Sequence, residues 1–105
     1  MIKTIRLTLE YNTYCIWLYD ENDEIIDNDN PPEWQEDEEL TNAFMKVSDL
    51  YDSFFIDNNR EFKYIGCPNE KERVELNSLI DDAVSTLCKK NNGKYTIRND
   101  ISRDF

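Results

Sequence analysis

The chain predicts an α+β fold: an antiparallel or mixed sheet of about five to six strands, two helices packed on one face, in the order β-β-β-α-β-β-α-β. Two observations carry that expectation. β-Prone runs come in pairs divided by turn residues, which favours hairpins over parallel crossovers. Two longer stretches space their apolar residues three and four apart, as amphipathic helices do. The 105 residues suffice for a single domain, 1–105, with one modest core. The hydrophobic share is 39% and includes two Trp, six Tyr and five Phe, so a folded chain is expected.

In order along the chain, Ile5, Leu7, Leu9 and Tyr11 alternate with Arg6, Thr8 and Glu10, the period of a half-buried strand. Asn12-Thr13 reads as a tight turn. The run from Tyr14 to Tyr19 is apolar on both faces, so it belongs near the sheet centre or under a partner. Asp20-Glu21-Asn22-Asp23 reads as a second turn and Glu24 to Asp27 as a short third strand. Asn30 then caps a helix expected from about Pro32 or Gln35 to Ser53, with acids crowding its positive end. Its stripe is Leu40, Phe44, Val47, Tyr51 and Phe54. Phe54-Phe55-Ile56, a turn at Asp57-Asn58-Asn59 and Glu61 to Gly66 make a second hairpin. Asn69 and Glu72 have capping-box spacing ahead of the second helix. That helix carries Leu76, Leu79, Ile80, Ala83, Val84, Leu87 and Cys88 and ends at Asn91-Asn92-Gly93. Tyr95, Ile97 and Ile101 make the last strand.

Charge is the most informative bulk property. The formal net charge is −11. Residues 1–45 hold twelve acids against two bases, −10, and residues 46–105 eleven against ten, −1. No base lies between Leu7 and Met45. Such a chain repels nucleic acid and anionic membranes and attracts basic proteins or cations. No apolar leader and no run long enough to cross a bilayer is visible, so a cytoplasmic protein with reduced, buried thiols at Cys15, Cys67 and Cys88 is expected.

Catalytic equipment is thin. With no His, neither an imidazole base nor a nucleophile–His relay is available. The two Gly make no phosphate loop, and the three Cys are too scattered for zinc. No cofactor, no metal and no enzymatic activity are expected. Calcium loops fail in both acidic registers: from Asp20 the turn glycine is replaced by Ile25 and the closing Glu by Pro31, and from Asp27 prolines fall mid-loop. An irregular cation site stays open, as does a carboxylate surface that serves only solubility.

Aromatics interleave with the acids: Trp17, Tyr19, Trp34 and Tyr51, with Tyr11 and Tyr14 nearby. Tyr51 reads as core, while Trp17 and Trp34 suit either core or interface. Carboxylates around aromatic anchors fit a basic protein, since they can stand where phosphates would and pair with Lys and Arg. The candidate partner-binding residues are Asp20, Glu21, Asp23, Glu24, Asp27, Asp29, Glu33, Trp34, Glu36 and Asp37, the acids pairing with bases and Trp34 anchoring.

The stretches YCIWLYDENDEIIDNDNPPEW and LYDSFFIDNNREFKYIG carry a resemblance. In size, acidity, α+β layout and residue usage, the chain resembles the small acidic immunity proteins of bacterial contact-dependent inhibition and related polymorphic toxin systems. The resemblance implies a cognate toxin domain, a nuclease acting on tRNA or DNA, that is bound tightly and blocked. A nucleic-acid mimic inhibiting another host or phage nucleic-acid enzyme is the alternative, and an acidic cation-binding domain a further one.

Overall fold

A computed structural model describes residues 1–58 and 60–105. The fold is α+β with the expected element order. Strands β1 (Ile2–Leu7), β2 (Ile16–Asp20) and β3 (Ile25–Asp27) precede helix α1 (Glu38–Asp52); β4 (Phe55–Asp57) and β5 (Phe62–Tyr64) precede helix α2 (Glu70–Asn91); β6 (Thr96–Asn99) follows. The six strands divide into a four-stranded mixed sheet, ordered β3-β2-β1-β6, and a two-stranded β4–β5 ladder. β1 pairs antiparallel to β2 and parallel to β6, so the chain's last strand seals the side of its first. β2 is central, as its apolar faces require.

Alternation decides which face is buried. Ile5 and Leu7 oppose Leu18 and Ile16 across the β1–β2 ladder, and all four are fully or almost fully buried. Both helices cover this face: Leu40, Phe44 and Val47 from α1 and Leu76, Ile80, Ala83 and Leu87 from α2 join the same core. Each of the Val, Leu, Ile and Phe side chains stabilises the fold by about 1.5–3 kcal/mol over its exposed state. Arg6 and Trp17 oppose one another on the other face.

Several boundaries move. β1 ends at Leu7 rather than Tyr11, and the link to β2 covers 8–15, clasped by a Thr8 N–H to Cys15 carbonyl bond of 3.1 Å. Asn12 takes a left-handed φ of 59°, which Asn tolerates well. Pro32–Trp34 form only one 3-10 turn, and α1 starts at Glu38. Asn30 does not cap it. Asp37 does, accepting the Leu40 N–H at 3.0 Å. Asp37 stands three residues before Leu40, the first core residue of the helix, while the Asn30 amide is engaged in the core. Asn69 caps α2 as expected, accepting from the Glu72 N–H at 2.9 Å, and Asn92 ends it at φ 43°. Ile101 lies beyond β6. The turn expected at Asp57-Asn58-Asn59 includes Asn59, which lies outside the described residues.

Candidate protein-binding surface

The acidic segment is ordered by its own polar chemistry. The Asp20 carboxylate accepts the Asn22 and Glu24 N–H groups at 2.8 and 3.0 Å, tying the β2–β3 turn. Backbone bonds from Glu24 and Asn22 hold that carboxyl below its ordinary range. Asp23 occupies the left-handed position of the turn, φ 61°. After β3 the run Asp27-Asn28-Asp29-Asn30 divides its labour. Asn28 Nδ2 donates to the carbonyls of Tyr14 and Ile16 at 2.7 and 2.8 Å, extending the sheet edge through a side chain. Asn30 is buried: it donates to the Trp34 carbonyl at 3.0 Å and to Thr41 Oγ1 at 2.9 Å, and accepts from Tyr14 Oη at 2.6 Å. Asp27 and Asp29 only brace the next backbone N–H, at 2.8 and 2.7 Å.

The ten candidate residues separate into two groups. Glu33 is tied to the Lys94 ammonium and accepts from Tyr95 Oη at 2.8 Å. Burial pushes its carboxyl up, but the bonds from Lys94 and Tyr95 outweigh that and hold it low. Trp34 packs against the core, its ring edge-on to Tyr95 at 6.1 Å. Asp37 caps α1 and pairs with Lys90 at 2.8 Å, and Lys90 also reaches Glu39 at 3.1 Å. The Lys90 and Leu40 bonds depress the Asp37 carboxyl. Bases from the end of α2 thus fold back onto the second half of the acidic run.

The first half has no such cover. Glu21 lies 3.7 Å from the N-terminal ammonium. Among the described residues, no basic group comes within 4.0 Å of Asp23, Glu24, Asp27 or Asp29, nor, in the second half, of Glu36. In the same segment as Asp23, Glu24, Asp27 and Asp29, Ile25 and Ile26 of edge strand β3 are 59% and 47% exposed. Ile26 also lines a mainly apolar groove of 640 Å³ with Met1, Ile2, Pro32, Lys94 and Tyr95. The two isoleucines were the signal missed in the sequence: a β-branched pair in a three-residue edge strand has too little sheet around it to be covered.

Trp17 lies on the sheet face opposite the helices, its buried Nε1 without a hydrogen-bond partner among the described residues. Tyr51 is partly buried against the core, edge-on to Phe54 and Phe55. Among the described residues, no group of three His, Cys, Asp or Glu side chains is placed to hold a metal ion. Cys15 is buried with Sγ 3.3 Å from Ser48 Oγ, and burial pushes its thiol up to about 11. Cys88 is exposed, not on the core stripe, and Cys67 is half-buried. The buried line of α2 runs Leu76, Ile80, Ala83, Leu87 and Asn91, and Cys88 stands one residue, about 100°, off it.

No protein-family model matches the chain, and comparison with curated proteins and with solved structures gives no match. No helix among the described residues is long and apolar enough to cross a membrane.

Proposed function

We propose that this chain is an immunity protein, a stoichiometric inhibitor that binds and neutralises a cognate basic toxin domain of nuclease type. The observation that carries the reading is the β2–β3 hairpin and the loop after it. Among the described residues, Asp23, Glu24, Asp27 and Asp29 stand without basic partners in the segment that carries the exposed Ile25 and Ile26, and Glu36 ahead of α1 is likewise unpaired. Unpaired carboxylates steer a basic partner during encounter, and desolvated apolar side chains hold it afterwards. Glu33, Trp34 and Asp37 serve the fold, so the contact face is narrower than the whole acidic run, and the isoleucines take the anchoring role expected of Trp34.

The test is binding kinetics against the toxin domain encoded beside this chain's gene, together with inhibition of its nuclease activity. The variant is Glu24→Lys, Asp27→Lys and Glu36→Lys combined. Asp23 is spared because its φ of 61° suits Asp better than Lys. Association should slow by about tenfold or more, and its salt dependence should flatten. No complex with the native chain, or a complex whose association is unchanged in the variant, overturns the reading.

A further inference from the structure

A second concave feature lies at the other end of β1, sharing no residue with the β2–β3 surface. It is a cleft of 490 Å³ between the end of the four-stranded sheet, the β4–β5 ladder and the segment after β6. One wall is aromatic. The rings of Tyr51, Phe55 and Tyr64 lie 5.0–6.4 Å apart, centre to centre, and Tyr64 is 45% exposed. Glu10 and Asp104, both exposed carboxylates, also line the cleft, and neither has a basic partner within 4.0 Å among the described residues. Arg6 lines it too, its guanidinium held by Asp100 at 2.8 Å, a carboxylate that also pairs with Arg98 at 2.9 Å. Thr8, only 5% exposed, lines the same cleft with a buried hydroxyl that has no hydrogen-bond partner among the described residues. A buried, unpartnered hydroxyl is an unfavourable arrangement unless a donor arrives.

We infer that this cleft receives an arginine side chain presented by a polypeptide. Aromatic faces attract cations through their quadrupole, and a guanidinium can stack flat on them. Its five fixed N–H donors need acceptors in a plane around it; the Glu10 and Asp104 carboxylates and the Thr8 hydroxyl supply that kind of group. An ammonium is smaller, more strongly hydrated and unable to stack, so lysine fits less well. A free amino acid is disfavoured because its own carboxylate would face the two acids. The site stands whether or not the immunity reading does.

The experiment is an amide-detected NMR titration of the full chain with N-acetyl-arginine amide, repeated with N-acetyl-lysine amide and with free arginine. Saturable shifts centred on Thr8, Tyr51 and Tyr64 are expected for the blocked arginine. The other two probes should bind more weakly. Tyr64→Ala should weaken the blocked arginine roughly three- to thirtyfold, the range of a cation–ring contact. The pair Glu10→Gln and Asp104→Asn alters only exposed carboxylates and should weaken it comparably, so the test survives if Tyr64→Ala disturbs the hairpin. An absence of saturation overturns the inference. So does equal binding of the lysine probe or free arginine, or undiminished binding in the carboxylate pair.

Discussion

Asn30 shows how a polar side chain becomes part of a core. It sits within the most acidic stretch of the chain, yet it is buried and spends both its amide donors and its oxygen on Trp34, Thr41 and Tyr14. Those bonds tie the loop after β3 to α1 and to the segment before β2. Asn30→Ala removes the central partner of all three at once, and buried groups left unpaired cost about 1–3 kcal/mol each when water cannot reach them. With partial relaxation, a loss of about 2–4 kcal/mol in urea unfolding is expected, and Asn30→Asp should cost at least as much, because it turns a donor to the Trp34 carbonyl into a buried charge. A loss below about 1 kcal/mol for the alanine would mean that these bonds are not what holds the loop. The Asp-Asn-Asp-Asn run also marks how far the sequence alone could be read here. Both residue types are turn formers, and composition places all four on a surface. Only the fold reveals that the asparagines, which can donate, reach carbonyls and side chains of other segments, while the aspartates, which cannot, accept from the next backbone N–H.

At the scale of elements, the two helices differ in how plainly they announce their starts. Asn69 and Glu72 stand at the right spacing with nothing competing, and the helix begins there. Before α1, Asn30, Asp37 and several acids all satisfy capping rules, and the choice falls to packing: Leu40 must enter the core, which sets the first turn at Glu38. The hydrophobic stripes were legible because periodicity over many residues averages out local ambiguity. The division of six strands between two sheets was not legible, because short strands carry no signal for which partner they choose. Asn69→Ala should cost about 1 kcal/mol, the ordinary worth of a cap. Asp37→Ala should cost more than that, since it also removes one of the two carboxylates paired with Lys90, whereas Asp37→Asn keeps the cap and loses only the charge pairing. Asp37 has its folded pKa lowered by the Lys90 and Leu40 bonds. Its charge therefore stabilises the fold above the unfolded carboxylate value of about 3.9, and that contribution fades as pH falls through the lower folded value. The stability gap between native chain and Asp37→Asn should accordingly be full at pH 6 and close on acidification below about 4. A gap that stays constant down to the acid transition would show that the Lys90 contact does not depend on the charge.

For the molecule as a whole, the net charge of −11 sets two forces against each other. Opposite charges meet at close range, as at Lys90–Asp37 and Arg6–Asp100, both at 2.8 Å. The unpaired acids of the β2–β3 surface repel one another over longer distances, about 0.4 kcal/mol for two charges ~10 Å apart in water. Salt distinguishes the two by range. Raising ionic strength from about 0.01 M to about 0.15 M shortens the screening length from about 30 Å to about 8 Å. That suppresses repulsion across the surface and largely spares contacts inside 4 Å. The free chain should therefore become more stable with sodium chloride over this interval, by on the order of 1 kcal/mol in urea unfolding. The Glu24→Lys, Asp27→Lys, Glu36→Lys variant should show a smaller gain, because part of the repulsion has been removed. Binding to a basic partner must respond in the opposite sense, weakening with salt as the attraction between the two surfaces is screened. Opposite signs for folding and for binding are what a surface kept repulsive for the sake of a partner requires. If salt instead destabilised the free chain, short-range pairing would dominate its electrostatics, and the acidic surface would already be neutralised from within.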